Sequence, residues 1–293
     1  MKKEIEHMNT QSDDRARDQE EQRQQWDSVA AGWKKWWRTI ENGAQCVSER
    51  MIELARVESG QRVLDIATGI GEPALLAASR VGPVGRVVAM DLSPQMLDIA
   101  RERATALGLA NVEFMEADAG RLDFPDGSFD VVLCRWGVTS LPNPSGTLVA
   151  IRRMLVPDGA FTTSVWETGS KGRPLASLAM AVAREMFDLP PSPPEAPSPA
   201  GSTRNALEQE MSDAGFKDVH AEEMALTLEF PSTEDCIQYF MDVSPELAAL
   251  LSDKSSAQQA DYRQRLAERL RHYVMVDGGV RIPNVTICAV GRK

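Results

Sequence analysis

RVLDIATGIGEP, at residues 62–73, is the stretch of sequence that decides the fold of this chain. Its first residues are mostly apolar and predict a short buried strand. Residues 68–71 then predict a loop, because the two glycines allow backbone angles that bring a loop close to a ligand. Pro73 suits the first turn of a helix, whose free N–H groups can hold an anionic group. We therefore predict a strand, a glycine loop and a helix that together form a ligand site.

The acidic residue before the loop, Asp65, distinguishes between two classes of cofactor. Residues 69–74 fit the pattern G-x-G-x-x-A of dinucleotide-binding proteins, although that pattern alone is weak. Asp65, at the end of the strand, would repel a pyrophosphate. The same carboxylate suits an ammonium group, such as that of S-adenosylmethionine. This cofactor is favoured, with a nicotinamide dehydrogenase as the alternative.

Residues 63–71, VLDIATGIG, resemble motif I of the class I S-adenosylmethionine-dependent methyltransferases, usually written V-L-D-x-G-x-G-x-G. Ala67 stands where the first glycine of the motif is usual. We expect it to have a negative φ, since only a positive φ strongly requires glycine. Residues 122–130 and 153–159 are also similar to segments of this family. Taken together, these motifs are most similar to those of the ubiquinone/menaquinone biosynthesis C-methyltransferase group and its small-molecule relatives.

The resemblance implies a set of residues that bind S-adenosylmethionine and its product S-adenosylhomocysteine. Asp91, twenty residues after Gly71, would accept hydrogen bonds from the ribose hydroxyls. Asp118 would meet the adenine amino group, and Leu92 and Met96 would pack on the adenine ring. The full predicted set is Asp65, Ala67, Thr68, Gly69, Gly71, Asp91, Leu92, Met96, Asp118, Ala119, Arg135 and Trp136.

Strand and helix patterns alternate from residue 60 to 167, which is typical of a doubly wound parallel sheet. We predict an α/β fold with a mostly parallel, seven-stranded, Rossmann-like sheet, an N-terminal helical lid and helical insertions in the C-terminal half. The predicted divisions are a disordered segment at 1–24, the lid at 25–59, the cofactor-binding core at 60–167, and the remaining sheet with acceptor-binding insertions at 168–293. Residues 190–200 predict a proline-rich loop.

An aromatic stripe marks the predicted lid. Four of the six tryptophans lie between Trp26 and Trp37, at helical spacing. Such a helix either packs on the core or folds over the cofactor and excludes water. On the second interpretation Trp33 and Trp37 would contact the substrate, together with Trp166 at the end of a later strand.

Composition limits the kind of substrate and the setting. The chain has 293 residues and a net charge of −11, and an acidic surface has little long-range attraction for nucleic acid. No apolar run has the length of a membrane span, and the four cysteines form no C-x-x-C pair. We expect a cytoplasmic monomer or homodimer that has no metal, no nucleic-acid partner and no transmembrane segment, and that acts on a small molecule.

The resemblance implies an enzyme that methylates carbon or oxygen of a small, fairly apolar acceptor by in-line transfer. A quinol, phenol, terpenoid or polyketide would fit. A phenol or enol must also lose a proton, for which His220, His272 and Tyr273 are the candidate bases. Two alternatives stay open: a non-catalytic cofactor-binding or scaffold protein of the same fold, and a thiolate-assisted arsenite methyltransferase.

Overall fold

The computed structural model describes residues 2–138, 143–167, 174–190 and 203–293. Its centre is a seven-stranded sheet in the order β3-β2-β1-β4-β5-β7-β6. β7 runs antiparallel to its neighbours β5 and β6, and the other pairings are parallel. The predicted fold class is thereby confirmed. The strands are β1 Arg62–Ile66, β2 Arg86–Asp91, β3 Val112–Glu116, β4 Phe129–Arg135, β5 Leu155–Trp166, β6 Lys217–Phe230 and β7 Val280–Arg292.

Helices cover both faces of the sheet. Apolar side chains of α4 and α6 pack on one face, and those of α2 and the end of α1 pack on the other. A further cluster joins α1, α5, α7, α8 and α9 at the β6 side of the sheet. The helices are α1 Lys2–Ala55, α2 Ala74–Val81, α3 Pro94–Ala106, α4 Pro144–Met154, α5 Pro174–Phe187, α6 Arg204–Asp213, α7 Thr233–Val243, α8 Pro245–Ser252 and α9 Ser256–Leu270, followed by the 3-10 turn Arg271–Tyr273.

The N-terminal helix corrects two expectations. The start of the chain is predicted to be disordered, but α1 already begins at Lys2. Ion pairs of Arg23 with Glu20 and Asp27, one helical turn away on either side, stabilise this polar part. The pair Asn42-Gly43 is also typical of a helix end, yet α1 continues to Ala55. Gly43 instead allows close packing, because a Cβ there would lie 2.6 Å from the Thr227 carbonyl oxygen on β6.

Other features of the C-terminal half differ less from expectation. Residues 233–251, which predict one helix, form α7 and α8, because Ser244 caps a new helix by accepting a hydrogen bond from the Leu247 N–H. Most of the predicted proline-rich loop, from residue 191 onward, lies outside the described residues. In the part of the chain that the structure covers, no helix is both long enough and apolar enough to cross a membrane.

Candidate active site

The glycine loop joins β1 to α2 at the carboxyl edge of the sheet. Gly69 has φ +55° and Gly71 has φ +106°, so both occupy the left-handed region. The Gly69 N–H donates a 2.7 Å hydrogen bond to Asp91 Oδ2, which ties the loop to the end of β2. A Cβ built on Gly69 would meet no heavy atom of the described residues within 4 Å, its own chain neighbours aside. The loop therefore leaves an open space directly above its backbone.

Ala67 does not have the negative φ that we expected. Its φ is +55°, so the path of the loop imposes a left-handed conformation even without glycine, at a cost of roughly 1–2 kcal/mol. Gly137, after β4, makes room for the alanine methyl group. A Cβ on Gly137 would lie only 2.7 Å from the Ala67 Cβ.

This pairing predicts a coupled effect on stability. Gly137→Ala should lower the free energy of unfolding by about 1–3 kcal/mol, because the added methyl group overlaps that of Ala67. Ala67→Gly should relieve part of this loss in the double variant; the Cys134 Sγ, 2.9 Å from the same Cβ position, prevents full relief. Urea denaturation of the four proteins measures the coupling. Strictly additive changes would contradict the contact.

A cavity of about 160 Å³ lies above the loop, at the carboxyl ends of β1, β2 and β4. Every residue of the predicted cofactor set lines it except Asp65 and Gly71. Helix α1 contributes Gln22, Trp26 and Trp33. The full lining is Gln22, Trp26, Trp33, Ala67, Thr68, Gly69, Ile70, Glu72, Asp91, Leu92, Met96, Asp118, Ala119, Arg135, Trp136 and Gly137.

Asp65 lies behind the cavity wall rather than in it. It is fully buried, and its Oδ2 accepts hydrogen bonds from Thr68 Oγ1 at 2.6 Å and from the Ala74 N–H at 3.0 Å. The Asp65 side chain thus holds the loop against the start of α2, a positioning role that differs from the predicted contact with an ammonium group. Within the described chain its Oδ1 has no hydrogen-bond partner. Burial raises the pKa of this carboxyl from 3.8 to about 7.

The raised pKa of Asp65 predicts a pH dependence of stability. Between these two pKa values the folded protein keeps a proton that the unfolded chain has lost, so the free energy of unfolding falls as pH rises. Asp65→Asn removes this titration. Between about pH 4.5 and 7.5, the free energy of unfolding of the variant should fall about 3 kcal/mol less than that of the wild type. Parallel profiles from urea denaturation would contradict the raised pKa.

Acidic side chains dominate the charged lining of this cavity. Asp91 accepts hydrogen bonds from the Gly69 and Ser93 N–H groups, and Asp118 accepts one from the Gly120 N–H. Burial raises the pKa of Asp91 and of Glu72. Carboxylates around a desolvated space favour a cationic ligand, because its charge offsets their unfavourable burial.

The guanidinium of Arg135 is held by α1. It donates hydrogen bonds to both carboxylate oxygens of Glu41, at 2.7 and 2.9 Å, and to Ser48 Oγ at 2.9 Å. All three residues are buried. Arg135 therefore reaches the cavity as part of an ion pair that fastens the N-terminal helix to the end of β4.

A second, larger cavity of about 470 Å³ adjoins the first and is mainly apolar. Gln22, Trp26, Trp33 and Trp136 line both cavities. The remaining lining residues of the second are Gln25, Ile40, Ala44, Trp166, Leu175, Ala176, Leu226, Leu228, Tyr239, Phe240, Val243, Ser244, Pro245, Glu246 and Asn284.

Trp136 forms part of the boundary between the two cavities. Its ring stacks on Trp166 with the centroids 4.3 Å apart, and its Nε1–H donates a 2.9 Å hydrogen bond to Thr286 Oγ1. Trp33 and Trp166, which are predicted to contact the substrate, both line the second cavity.

Four of the predicted substrate and catalytic residues lie elsewhere. Trp37 packs against the guanidinium of Arg103, which lies 4.7 Å from the centroid of the Trp37 ring. On β6, the side chain of His220 is 58% exposed and lies 3.6 Å from Glu222. His272 and Tyr273 belong to the 3-10 turn after α9. None of the four is among the described residues that line either cavity, so their assignment to the site stays a prediction.

The cysteines give no support to the arsenic alternative. Cys134, Cys236 and Cys288 are buried, and burial raises the pKa of the last two thiols to about 12. A thiol in such surroundings stays protonated rather than forming the thiolate that binds metals. The described residues also contain no group of three or more histidine, cysteine or acidic side chains arranged to hold a metal ion.

Comparison with known proteins adds an independent observation. Residues 63–159 match the model of a methyltransferase domain family. The ubiquinone/menaquinone biosynthesis C-methyltransferase UbiE of Ectopseudomonas mendocina (strain ymp) is 39% identical over 150 residues, which are 50% of this chain and 58% of that protein. A UbiE of Pseudomonas putida (strain GB-1) is 39% identical over 134 residues, 45% of this chain and 52% of the relative. The chain thus spans little more than half the length of these relatives.

Solved structures share the fold at lower identity. A phosphoethanolamine N-methyltransferase 2 of Haemonchus contortus, in complex with phosphomonomethylethanolamine and S-adenosylhomocysteine, has TM-score 0.56 and 21% identity and covers 92% of this chain and 60% of its own. The [4+2]-cyclase SpnF has TM-score 0.54 and 20% identity, over 85% of this chain and 81% of its own. The two proteins are named for different reactions. The shared fold therefore does not identify the reaction, which has to be inferred from the site.

Proposed function

We propose that this chain, in which residues 63–159 match a methyltransferase domain family, is an S-adenosylmethionine-dependent methyltransferase acting on carbon or oxygen of a small, fairly apolar acceptor. The observation that carries the proposal is the junction of the two cavities. Three tryptophans and Gln22 border both spaces. A donor in the first cavity and an acceptor in the second would meet at this boundary.

The first cavity suits S-adenosylmethionine on the chemistry of its lining. Open space above Gly69 accommodates a ligand close to the backbone, and the acids Glu72, Asp91 and Asp118 suit a cation. Asp91 and Asp118 would hold the ribose and adenine groups, with Leu92 and Met96 against the ring. When bound, S-adenosylmethionine supplies an electrophilic methyl group on a cationic sulfur.

The residues of the chain contribute position and exclusion of water. Trp26 and Trp33 of α1, together with Trp136, surround the junction, where their faces favour positive charge. The Glu41–Arg135 ion pair keeps α1 over the site. We propose on this basis that α1 is the lid, since a dry and ordered site favours methyl transfer over hydrolysis.

The acceptor is proposed from the second cavity. Aromatic and aliphatic side chains form most of its wall, and ligand sites of this composition select apolar molecules by burying their surface. Similarity to proteins named for ubiquinone and menaquinone biosynthesis supports a quinol or phenol. A protein that served only as a scaffold would lack such an acceptor cavity.

Methyl transfer can be tested directly with S-adenosylmethionine carrying an isotope-labelled methyl group. The purified protein is incubated with a panel of quinols, phenols, terpenoids and polyketides, and products are identified by mass spectrometry. We expect label on carbon or oxygen of at least one aromatic acceptor, with equimolar S-adenosylhomocysteine. A panel that covers these classes and yields no labelled product would contradict the proposed activity.

Trp136 provides a matched test of the junction. Trp136→Leu should lower kcat/KM for an acceptor found in that panel by about 100-fold, because the wall between the two ligands loses its planar surface and its bond to Thr286. Trp37→Leu, outside both cavities, is the control and should retain most of the wild-type kcat/KM. Similar losses in the two variants would contradict the placement of transfer at the junction.

A further inference from the structure

Among the described lining residues of the second cavity, Asn284 has the most deeply buried polar side chain. Asn284 is 4% exposed. Of the other described lining residues with amide, hydroxyl or carboxylate groups, Tyr239 is 9% exposed, Gln22 and Ser244 are half-buried, and Gln25 and Glu246 are exposed. An amide deep in an apolar wall is unfavourable unless its polar atoms are paired. The polar atoms of Asn284 therefore need hydrogen-bond partners.

Strand register places this amide at the floor of the cavity. Side chains alternate along β7, so Ile282, Asn284 and Thr286 share one face. Leu226, the register partner of Asn284 on β6, also lines the cavity. The hydroxyl of Thr286 already makes two hydrogen bonds, since it donates to the Val165 carbonyl oxygen and accepts from the Trp136 Nε1–H.

The hydrogen bonds of Asn284 leave its oxygen available. Nδ2 donates a 2.9 Å hydrogen bond to the Ile282 carbonyl oxygen. This contact fixes the orientation of the amide, because a carbonyl oxygen can only accept. Among the described residues no donor bonds to Asn284 Oδ1, and this oxygen is not one of the fully buried atoms that lack a partner, so it keeps accessible surface for a ligand.

We propose that Asn284 is a specificity-determining residue that selects acceptors carrying a hydroxyl group, whose O–H donates to Oδ1. The inference rests on the proposed function, in which this cavity holds the acceptor. It narrows the acceptor to hydroxylated compounds such as phenols and quinols and disfavours hydrocarbons of the same shape. A site built to pair with a hydroxyl rejects an analogue without one, because the buried group is then left unpaired.

Two probes of matched shape test the proposal: 2-naphthol and 2-methylnaphthalene, which differ by a hydroxyl in place of a methyl group. Equilibrium dialysis gives a Kd for each with wild type, Asn284→Leu and the control Asn205→Leu. We expect the preference for 2-naphthol, expressed as the ratio of the two Kd values, to fall about tenfold in Asn284→Leu. Asn205→Leu makes the same substitution at an exposed residue of α6 outside both cavities and should keep the wild-type ratio. Should Asn284→Leu not fold, Asn284→Ala carries the same expectation.

S-adenosylhomocysteine titration separates failure of this inference from failure of the proposed function. An unchanged ratio in a folded Asn284 variant that still binds S-adenosylhomocysteine would overturn the role of Asn284 alone. Wild-type protein that binds S-adenosylhomocysteine but neither naphthalene probe would overturn the inference together with the acceptor role of the cavity.

Discussion

Gly69→Val is expected to weaken the binding of S-adenosylmethionine by at least about 100-fold, equivalent to about 2.7 kcal/mol. The reason is steric and local. The Cβ position of Gly69 opens onto the first cavity, with no atom of another described residue within 4 Å apart from its chain neighbours. Valine methyl groups would therefore occupy the space that we assign to the cofactor. Calorimetric titration of the folded variant measures the loss.

A second glycine gives a matched control for this substitution. Gly108 has φ +69°, close to the +55° of Gly69, and its Cβ would also meet no atom within 4 Å. It follows α3 and does not line the cofactor cavity. Both valine variants should lose about 1–3 kcal/mol of stability from the left-handed backbone. Equal affinities of the two variants for S-adenosylmethionine would place the cofactor elsewhere.

The largest expected effect on stability comes from breaking the Glu41–Arg135 pair. Glu41→Leu should lower the free energy of unfolding by about 3–5 kcal/mol, because it leaves a buried guanidinium without its carboxylate. Side-chain exposure is only 4% for Arg135 and 10% for Glu41. Urea denaturation, followed by far-ultraviolet circular dichroism, measures the change.

Two further variants test this interpretation. Lys34 of α1 also forms an ion pair, with Glu102 of α3, but both side chains are more than half exposed. Lys34→Ala should therefore lower stability by less than about 1 kcal/mol. The double variant Glu41→Leu/Arg135→Met should recover most of the loss, because an apolar pair replaces the ionic one. A loss in Glu41→Leu no greater than that in Lys34→Ala would contradict the importance of burial.

The core of the fold could be predicted because its signals are local. A buried strand, a glycine loop and a proline-started helix follow one another within residues 62–81. Asp91 ends β2, and Asp118 follows β3 by two residues. The φ of Ala67 could not be predicted in this way. That angle is set by the path of the loop, and its methyl group is tolerated because Gly137, seventy residues later, lacks one.

Much of the candidate site depends on contacts between distant segments. Gln22 lies in a stretch whose composition resembles a disordered tail, yet α1 carries it to both cavities. The second cavity draws on α1, α5, α7, α8 and three strands, so no short motif marks it. Histidine and tyrosine are predicted as bases from their chemistry alone, which does not fix their position. His220, His272 and Tyr273 are not among the described residues that line the two cavities.

The central claim is that the cavity above the glycine loop holds S-adenosylmethionine. Calorimetric titration of the wild-type protein with S-adenosylmethionine, S-adenosylhomocysteine and NADH tests it most directly. We predict saturable binding of both adenosyl ligands at one site per chain and no binding of NADH. A folded protein that bound NADH, or that bound neither adenosyl ligand, would contradict the account.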